Sequence, residues 1–299
     1  MSEPTSTYRG RLAPTPTGRL HLGHALTFRT AFERCREAGG TLILRNEDLD
    51  PDRCRPEYVE GMLEDLYWLG MNWDEGPVQG GPHAPYQQSE RTSLYREVWR
   101  KLRAQGAIYP CHCSRKDLRD AARAPHDVGG EAIYPGTCRP QVDVRPGEDE
   151  WPEDPGVGEV CWRFRVPDGE LIRFTDGRMG RQGFRAGQDF GDFVVWRRDG
   201  VPAYELAVVV DDDAMGVTEV VRGADLLLST ARQQLLYRVL GMREPAFFHA
   251  PLLTGPDGRR LAKRDGATSI ETLRQNGMTP DQVLAMAGGR VMLEDDGDG

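Results

Sequence analysis

The chain has 299 residues, about two domains at the usual ~150 each, and its 38 % hydrophobic and 28 % charged residues can bury a core, which excludes global disorder. Its 47 acidic residues against 38 Lys plus Arg, a formal charge of −9, exclude a sequence-blind coat for nucleic acid, which needs many basic contacts to phosphate; RNA binding through a local basic groove stays open. No run approaches the ~20 apolar residues of a membrane span, and MSEPTSTYRG lacks the apolar stretch of a signal peptide, so a cytoplasmic protein with no membrane partner is expected.

Tyr8 to Ala13 reads as a strand running into the turn APTPTGRLHLGH. A helix follows over His21 to Ala38, with Leu22, Ala25, Leu26, Phe28, Ala31 and Phe32 at helical spacing and Gly39-Gly40 as its stop. TLILRNED is a second strand. Pro56 opens a helix carrying Tyr58, Met62, Leu66 and Leu69 up to Gly70, and another helix spans Ser89 to Ala104 before Gly106. Strand and helix alternating in this way predict an α/β fold with a parallel sheet. The Cys111 to Cys138 stretch interrupts the pattern, and 141–158, rich in Pro, Gly and acid, reads as a surface linker. Strand-like runs return at Glu159–Val166 and Asp192–Trp196, and PAYELAVVVDD reads as a strand buried on both faces. A helix at Thr230–Leu240, the loop LLTGPDGRRLAKRDGATSI, one short helical stretch and a frayed acidic tail, LEDDGDG, complete the chain.

Three features carry chemistry. In PTPTGRLHLGH, His21 and His24 stand three apart at a helix start, where unpaired N–H groups and the dipole attract phosphate, and Gly23 lets a nucleotide approach the backbone. GPDGRRLAKRDG is a basic, Gly-rich loop, which alone reads as solvated surface. Cys111, Cys113 and Cys138 are clustered thiols of the kind that bind metal in a reducing compartment, whereas Cys35, Cys54 and Cys161 read as isolated buried hydrophobes. Tetrahedral zinc needs a fourth ligand, for which His112, His126 and Tyr134 are candidates, and His126 is the default on chemistry.

The string from Arg11 to His24, with its A-P-x-P-T-G turn and L-H-x-G-H ending, closely resembles the first signature of class I aminoacyl-tRNA synthetases, in the form of the glutamyl/glutaminyl branch. Arg260-Leu261-Ala262-Lys263-Arg264 is similar to the second signature, with Arg260 in place of the usual lysine and Ala262 in place of the usual serine. The resemblance implies a Rossmann-like nucleotide-binding core in two halves, 8–106 and 191–285, around a zinc-containing insertion, 107–190, with an acidic tail at 286–299. It also implies activation of an amino acid by ATP with Mg²⁺. His21, Gly23, His24 and Lys263 would bind ATP, and His21, His24 and Lys263 would be catalytic.

The resemblance carries glutamate contacts onto Arg11, Leu12, Ala13, Pro14, Thr15, Glu47, Tyr204 and Arg222; two arginines and one acid complement two carboxylates and one ammonium at strand C-termini. For zinc it favours Tyr134, since C-x-C…Y-x-x-x-C looks like the pattern of the truncated glutamyl-Q tRNA(Asp) synthetase branch. The chain ends soon after Arg264, far short of an added domain of ~100 residues, so no anticodon-binding domain is expected. That branch esterifies glutamate to the queuosine base of tRNA(Asp), and a monomer is expected. The alternatives are charging of tRNA(Glu) with an anticodon-binding subunit in trans, a non-catalytic binding module, and a nucleotidyltransferase acting on a small alcohol or acid.

Overall fold

The computed structural model describes residues 7–114, 117, 133–140, 151–152, 154–158, 160–253 and 268–289. In chain order its elements begin with β1 (Arg9–Leu12), α1 (Leu22–Glu37), β2 (Thr41–Leu44), α2 (Pro56–Trp68), α3 (Thr92–Ala104), β3 (Ile108–Cys111), β4 (Cys161–Phe164), β5 (Leu171–Asp176) and β6 (Gly180–Arg185). They continue with β7 (Phe193–Trp196), α4 (Tyr204–Ala214), β8 (Glu219–Gly223), α5 (Leu227–Leu240), β9 (Ala246–Ala250), α6 (Ile270–Gln275) and α7 (Pro280–Gly289). Contacts divide the chain into two units: Met1–Glu90, Val217–Leu226 and Ala246–Gly299 form one, and Arg91–Gly216 with Leu227–Pro245 the other. The expected segments 8–106 and 191–285 are each shared between them.

The first unit is built on parallel strands. β1 pairs β2 in parallel from Arg9↔Thr41 to Leu12↔Leu44, and β8 pairs β9 in parallel from Glu219↔Ala246 to Gly223↔Ala250. β1 runs beside β8 in the same direction, with Thr218 N–H donating to Arg9 O at 2.9 Å and the Arg11 side chain to Val221 O at 2.8 Å. All four strands therefore end on one edge, where open α/β sheets bind ligands. α1 buries Leu22, Ala25, Phe28 and Ala31 of the expected stripe, with Leu26 and Phe32 half-buried, and adds Cys35; the chain leaves it through Gly39 at φ +58°. This stripe packs with Leu42, Leu44, Met62, Leu66, Ile270 and Val283 into one core. Each large aliphatic or aromatic side chain among them contributes roughly 1.5–3 kcal/mol by leaving water.

The second unit holds an antiparallel sheet in the order β3-β4-β7, with Cys111 opposite Cys161 and Trp162 opposite Trp196, and a β5–β6 hairpin. Neither β3 nor the hairpin was expected. PAYELAVVVDD, expected as a strand, is the helix α4: Glu205 through Asp212 are all buried, so no amphipathic period marks the helix and the β-branched run misleads. Its buried Asp211 is held by Arg91 Nε at 2.6 Å and by the Tyr95 hydroxyl at 2.8 Å.

Three smaller expectations also change. Two helices, α6 and α7, stand where one was expected, and α7 runs past the expected tail boundary at 286. Within the expected linker, Trp151 packs edge-on against Trp162 with ring centres 5.5 Å apart, and Asp154 accepts Arg96 at 2.7 Å, so those residues are anchored. Among the described residues no helix is long and apolar enough to cross a membrane.

Candidate functional site

The turn after β1 is tied down by its neighbours. Arg45 N–H donates to Leu12 O at 2.9 Å and Glu47 N–H to Pro14 O at 3.0 Å. Leu12 and Pro14 are buried, Ala13 is half-buried and Thr15 is exposed. The Glu47 carboxylate accepts Arg45 through Nη2 at 2.9 Å and Nε at 3.3 Å, and both side chains are buried. Arg11 reaches Val221 O, which brings it next to Arg222. Arg222, also buried, donates from Nε to His249 Nε2 at 3.3 Å, which requires that nitrogen to be unprotonated. Arg11, Glu47 and Arg222 thus stand buried at or just past the C-terminal ends of β1, β2 and β8. Tyr204 is the half-buried first residue of α4, in the other unit, and not at a strand end.

His21 and His24 cap α1 with their own rings. His21 Nδ1 accepts Gly23 N–H and His24 Nδ1 accepts His21 N–H, both at 3.2 Å, and the rings lie 3.9 Å apart. With both Nδ1 atoms accepting, the neutral rings carry their protons on Nε2. A Cβ on Gly23 would sit 3.1 Å from His21 Cε1, so the glycine also makes room for the cap. Beside this turn, Ile270 N–H donates to Leu20 O at 2.9 Å and His21 bridges Ser269, whose hydroxyl caps α6 at 3.1 Å. The segment after the basic loop is therefore anchored at the histidines. Lys263 lies outside the described residues, as do Gly255, Gly258, Arg260, Ala262, Arg264 and Gly266.

In the second unit the Cys111, Cys113 and Cys138 sulfurs all lie within 4.8 Å of one another, with Cys113 and Cys138 3.5 Å apart. The Tyr134 hydroxyl is 3.5 Å from Cys111 Sγ and 3.8 Å from Cys113 Sγ, and it accepts Cys138 N–H at 2.7 Å. Zinc arms of ~2.3 Å to sulfur and ~2.0 Å to oxygen give tetrahedral edges of about 3.8 Å S···S and 3.5 Å S···O. The Cys113–Cys138 separation of 3.5 Å and the Tyr134 hydroxyl's 3.5 and 3.8 Å to Cys111 and Cys113 fall within about 0.3 Å of those edges. His112 is exposed, and His126 lies outside the described residues.

Cys161, expected to be isolated, instead stands opposite Cys111 and donates to Cys111 O at 3.5 Å. Cys35 is buried as expected, while Cys54 is only half-buried. Hydrogen bonding from Cys161, then from Tyr134 and Arg163, holds Cys111 down to about 3 against its burial. Burial, with Cys138 alongside, pushes Cys113 up to about 11. The cluster thus favours a thiolate at Cys111 and a thiol at Cys113. A cavity of about 280 Å³ opens beside it, lined by Tyr134, Arg163, Asp192, Glu205 and Arg232 among others.

Sequence reasoning missed Arg45, Arg163 and His249. Only the charged ending of TLILRNED hinted at the first.

Residues 7–296 match the family model described as tRNA synthetases class I (E and Q), catalytic domain. A glutamyl-Q tRNA(Asp) synthetase of Symbiobacterium thermophilum is 54 % identical over 276 residues, covering 92 % of this chain and 84 % of that protein. A glutamate–tRNA ligase of the same organism is 41 % identical over 279 residues, covering 93 % of this chain and 57 % of the ligase. Among solved structures, a glutamate tRNA ligase from Elizabethkingia meningosepticum, in complex with its amino acid, aligns with a TM-score of 0.74 at 33 % identity. The alignment covers 87 % of this chain and 52 % of that one, so this chain spans about half the length of that ligase.

Proposed function

The chain belongs to the class I tRNA synthetases (E and Q) through their catalytic domain, and on that premise we propose that it activates L-glutamate with ATP, without needing tRNA, and transfers it to the queuosine base of tRNA(Asp) in the cytoplasm. The observation that carries this reading is that Arg11, Glu47 and Arg222 are all buried at the C-terminal ends of parallel strands, in the same unit as the histidine-capped start of α1. The difference between 54 % and 41 % identity to two proteins of one organism favours the glutamyl-Q branch over glutamate–tRNA ligases.

In the first step a glutamate carboxylate oxygen attacks the α-phosphorus of MgATP in line, and pyrophosphate leaves. Arg11 and Arg222 pair with substrate carboxylate charge, and Glu47, fixed by Arg45, receives the ammonium. His21 and His24 present Nε2–H donors to phosphoryl oxygens as charge builds there, and the positive end of α1 adds to the effect. Lys263 would meet the triphosphate from the loop whose far end is anchored at His21. The resemblance alone gives Tyr204 a glutamate contact. In the second step an oxygen of the tRNA attacks the adenylate carbonyl and AMP leaves.

Zinc held by Cys111, Cys113, Cys138 and Tyr134 would cross-link the start of the insertion to its end, a structural role. The test of activation is glutamate-dependent exchange of labelled pyrophosphate into ATP in the absence of tRNA. Exchange with glutamate and not with glutamine is expected. No exchange with either would leave the family's fold without this activity.

A further inference from the structure

Arg163 is one of the least explicable residues of the second unit when read as a surface charge. It stands in β4, 5 % exposed, with Tyr109 directly opposite and Cys111 opposite its neighbour-but-one Cys161, so all four share one face of the sheet. Its Nε donates to Cys111 Sγ at 3.2 Å, its Nη1 to Asp192 O at 2.9 Å, and its guanidinium carbon lies 3.9 Å from the centre of the Tyr134 ring.

Among the described residues no carboxylate lies within ion-pair reach of Arg163. Asp192 offers it only a backbone oxygen, because its carboxylate is engaged by the Tyr109 hydroxyl, Val166 N–H and Arg139. A buried, unpaired guanidinium costs several kcal/mol. The anionic partner that the geometry supplies is the sulfur cluster.

We propose that Arg163 is the outer-sphere counter-charge of the metal centre, a positioning residue that neutralises it and holds two of its ligands. The inference rests on the reading of the cluster as a zinc site. Three thiolates and a neutral Tyr134 hydroxyl around a divalent ion sum to −1, and one buried guanidinium makes the assembly neutral. Its planar fork satisfies the Cys111 sulfur along one N–H direction while its face lies on the Tyr134 ring, fixing both against the ion. Lysine keeps the charge but cannot do both. Partners of this kind typically change metal affinity by about 10–100-fold.

The test is zinc affinity measured by competition with a chromophoric chelator for the wild type, R163K and R163M, with near-UV circular dichroism to establish folding. R163M is expected to bind zinc about 10–100-fold more weakly and R163K about tenfold more weakly. Equal affinities in folded variants would assign Arg163 to packing alone and overturn the inference. If R163M does not fold, R163K decides: wild-type affinity there overturns the proposal, and a loss supports it. A wild-type protein that takes up no zinc withdraws the metal reading, and this inference falls with it.

Discussion

Asp65 gives the sharpest test of the electrostatics of the first unit. It lies on α2, 1 % exposed, and among the described residues neither carboxylate oxygen has a hydrogen-bond partner; there the nearest cation is Arg274 Nη1, 3.9 Å away. Burial raises it to about 6, Arg274 opposing and Glu271 reinforcing the rise. An unfolded aspartate titrates near ~3.9. Between roughly pH 4 and pH 6 the native state therefore holds a proton that the unfolded state has lost, so stability falls as pH rises through that window. Above it the penalty is constant. A shift of about two units at about 1.4 kcal/mol each makes it roughly 3 kcal/mol.

Asp65→Asn removes the charge at nearly constant volume, while its amide brings its own desolvation cost of about 1–3 kcal/mol. The expected net gain at pH 7.5 is about 0–2 kcal/mol, vanishing by pH 4.5. Urea denaturation of both proteins at the two pH values measures it. A loss of about 3–5 kcal/mol at pH 7.5 would show instead that Asp65 is ionised as a required partner of Arg274, and would refute the reasoning.

Lys263→Ala is expected to lower glutamate-dependent pyrophosphate exchange by orders of magnitude with an unchanged circular dichroism spectrum; near-wild-type exchange would remove the loop from the mechanism. About one zinc per chain is expected by elemental analysis, lost in Cys113→Ser, and a metal-free native preparation would count against the site. Arg45→Met removes a buried cation paired with Glu47, so a loss of about 3–5 kcal/mol in urea denaturation is expected, with KM for glutamate rising more than kcat falls. Unchanged KM would free Arg45 from the substrate site.

The opening of the chain was legible because its signals are local. The stripe on α1 and the glycine after it place the helix within a residue at either end, and the histidine turn and the Cys-x-Cys pair are read from fixed spacing. α4 was not legible, since a helix buried on every side has no polar face to set a period, and its Asp211 is paired by Tyr95 of α3 and by Arg91 just before it, residues far off in sequence. The short strands β8 and β9 were hidden because Arg222 and His249 interrupt their apolar runs. The supporting residues of the site share that difficulty. His249 finds Arg222 across neighbouring strands and Arg163 finds Cys111 across a sheet, so neither partnership leaves a pattern along the chain.

The most direct test of the central claim is transfer of labelled glutamate to tRNA(Asp) with and without queuosine, beside tRNA(Glu). Labelling of queuosine-bearing tRNA(Asp) alone is the predicted result. Labelling of tRNA(Glu), or of tRNA(Asp) regardless of queuosine, would contradict the account and return the chain to ordinary aminoacylation.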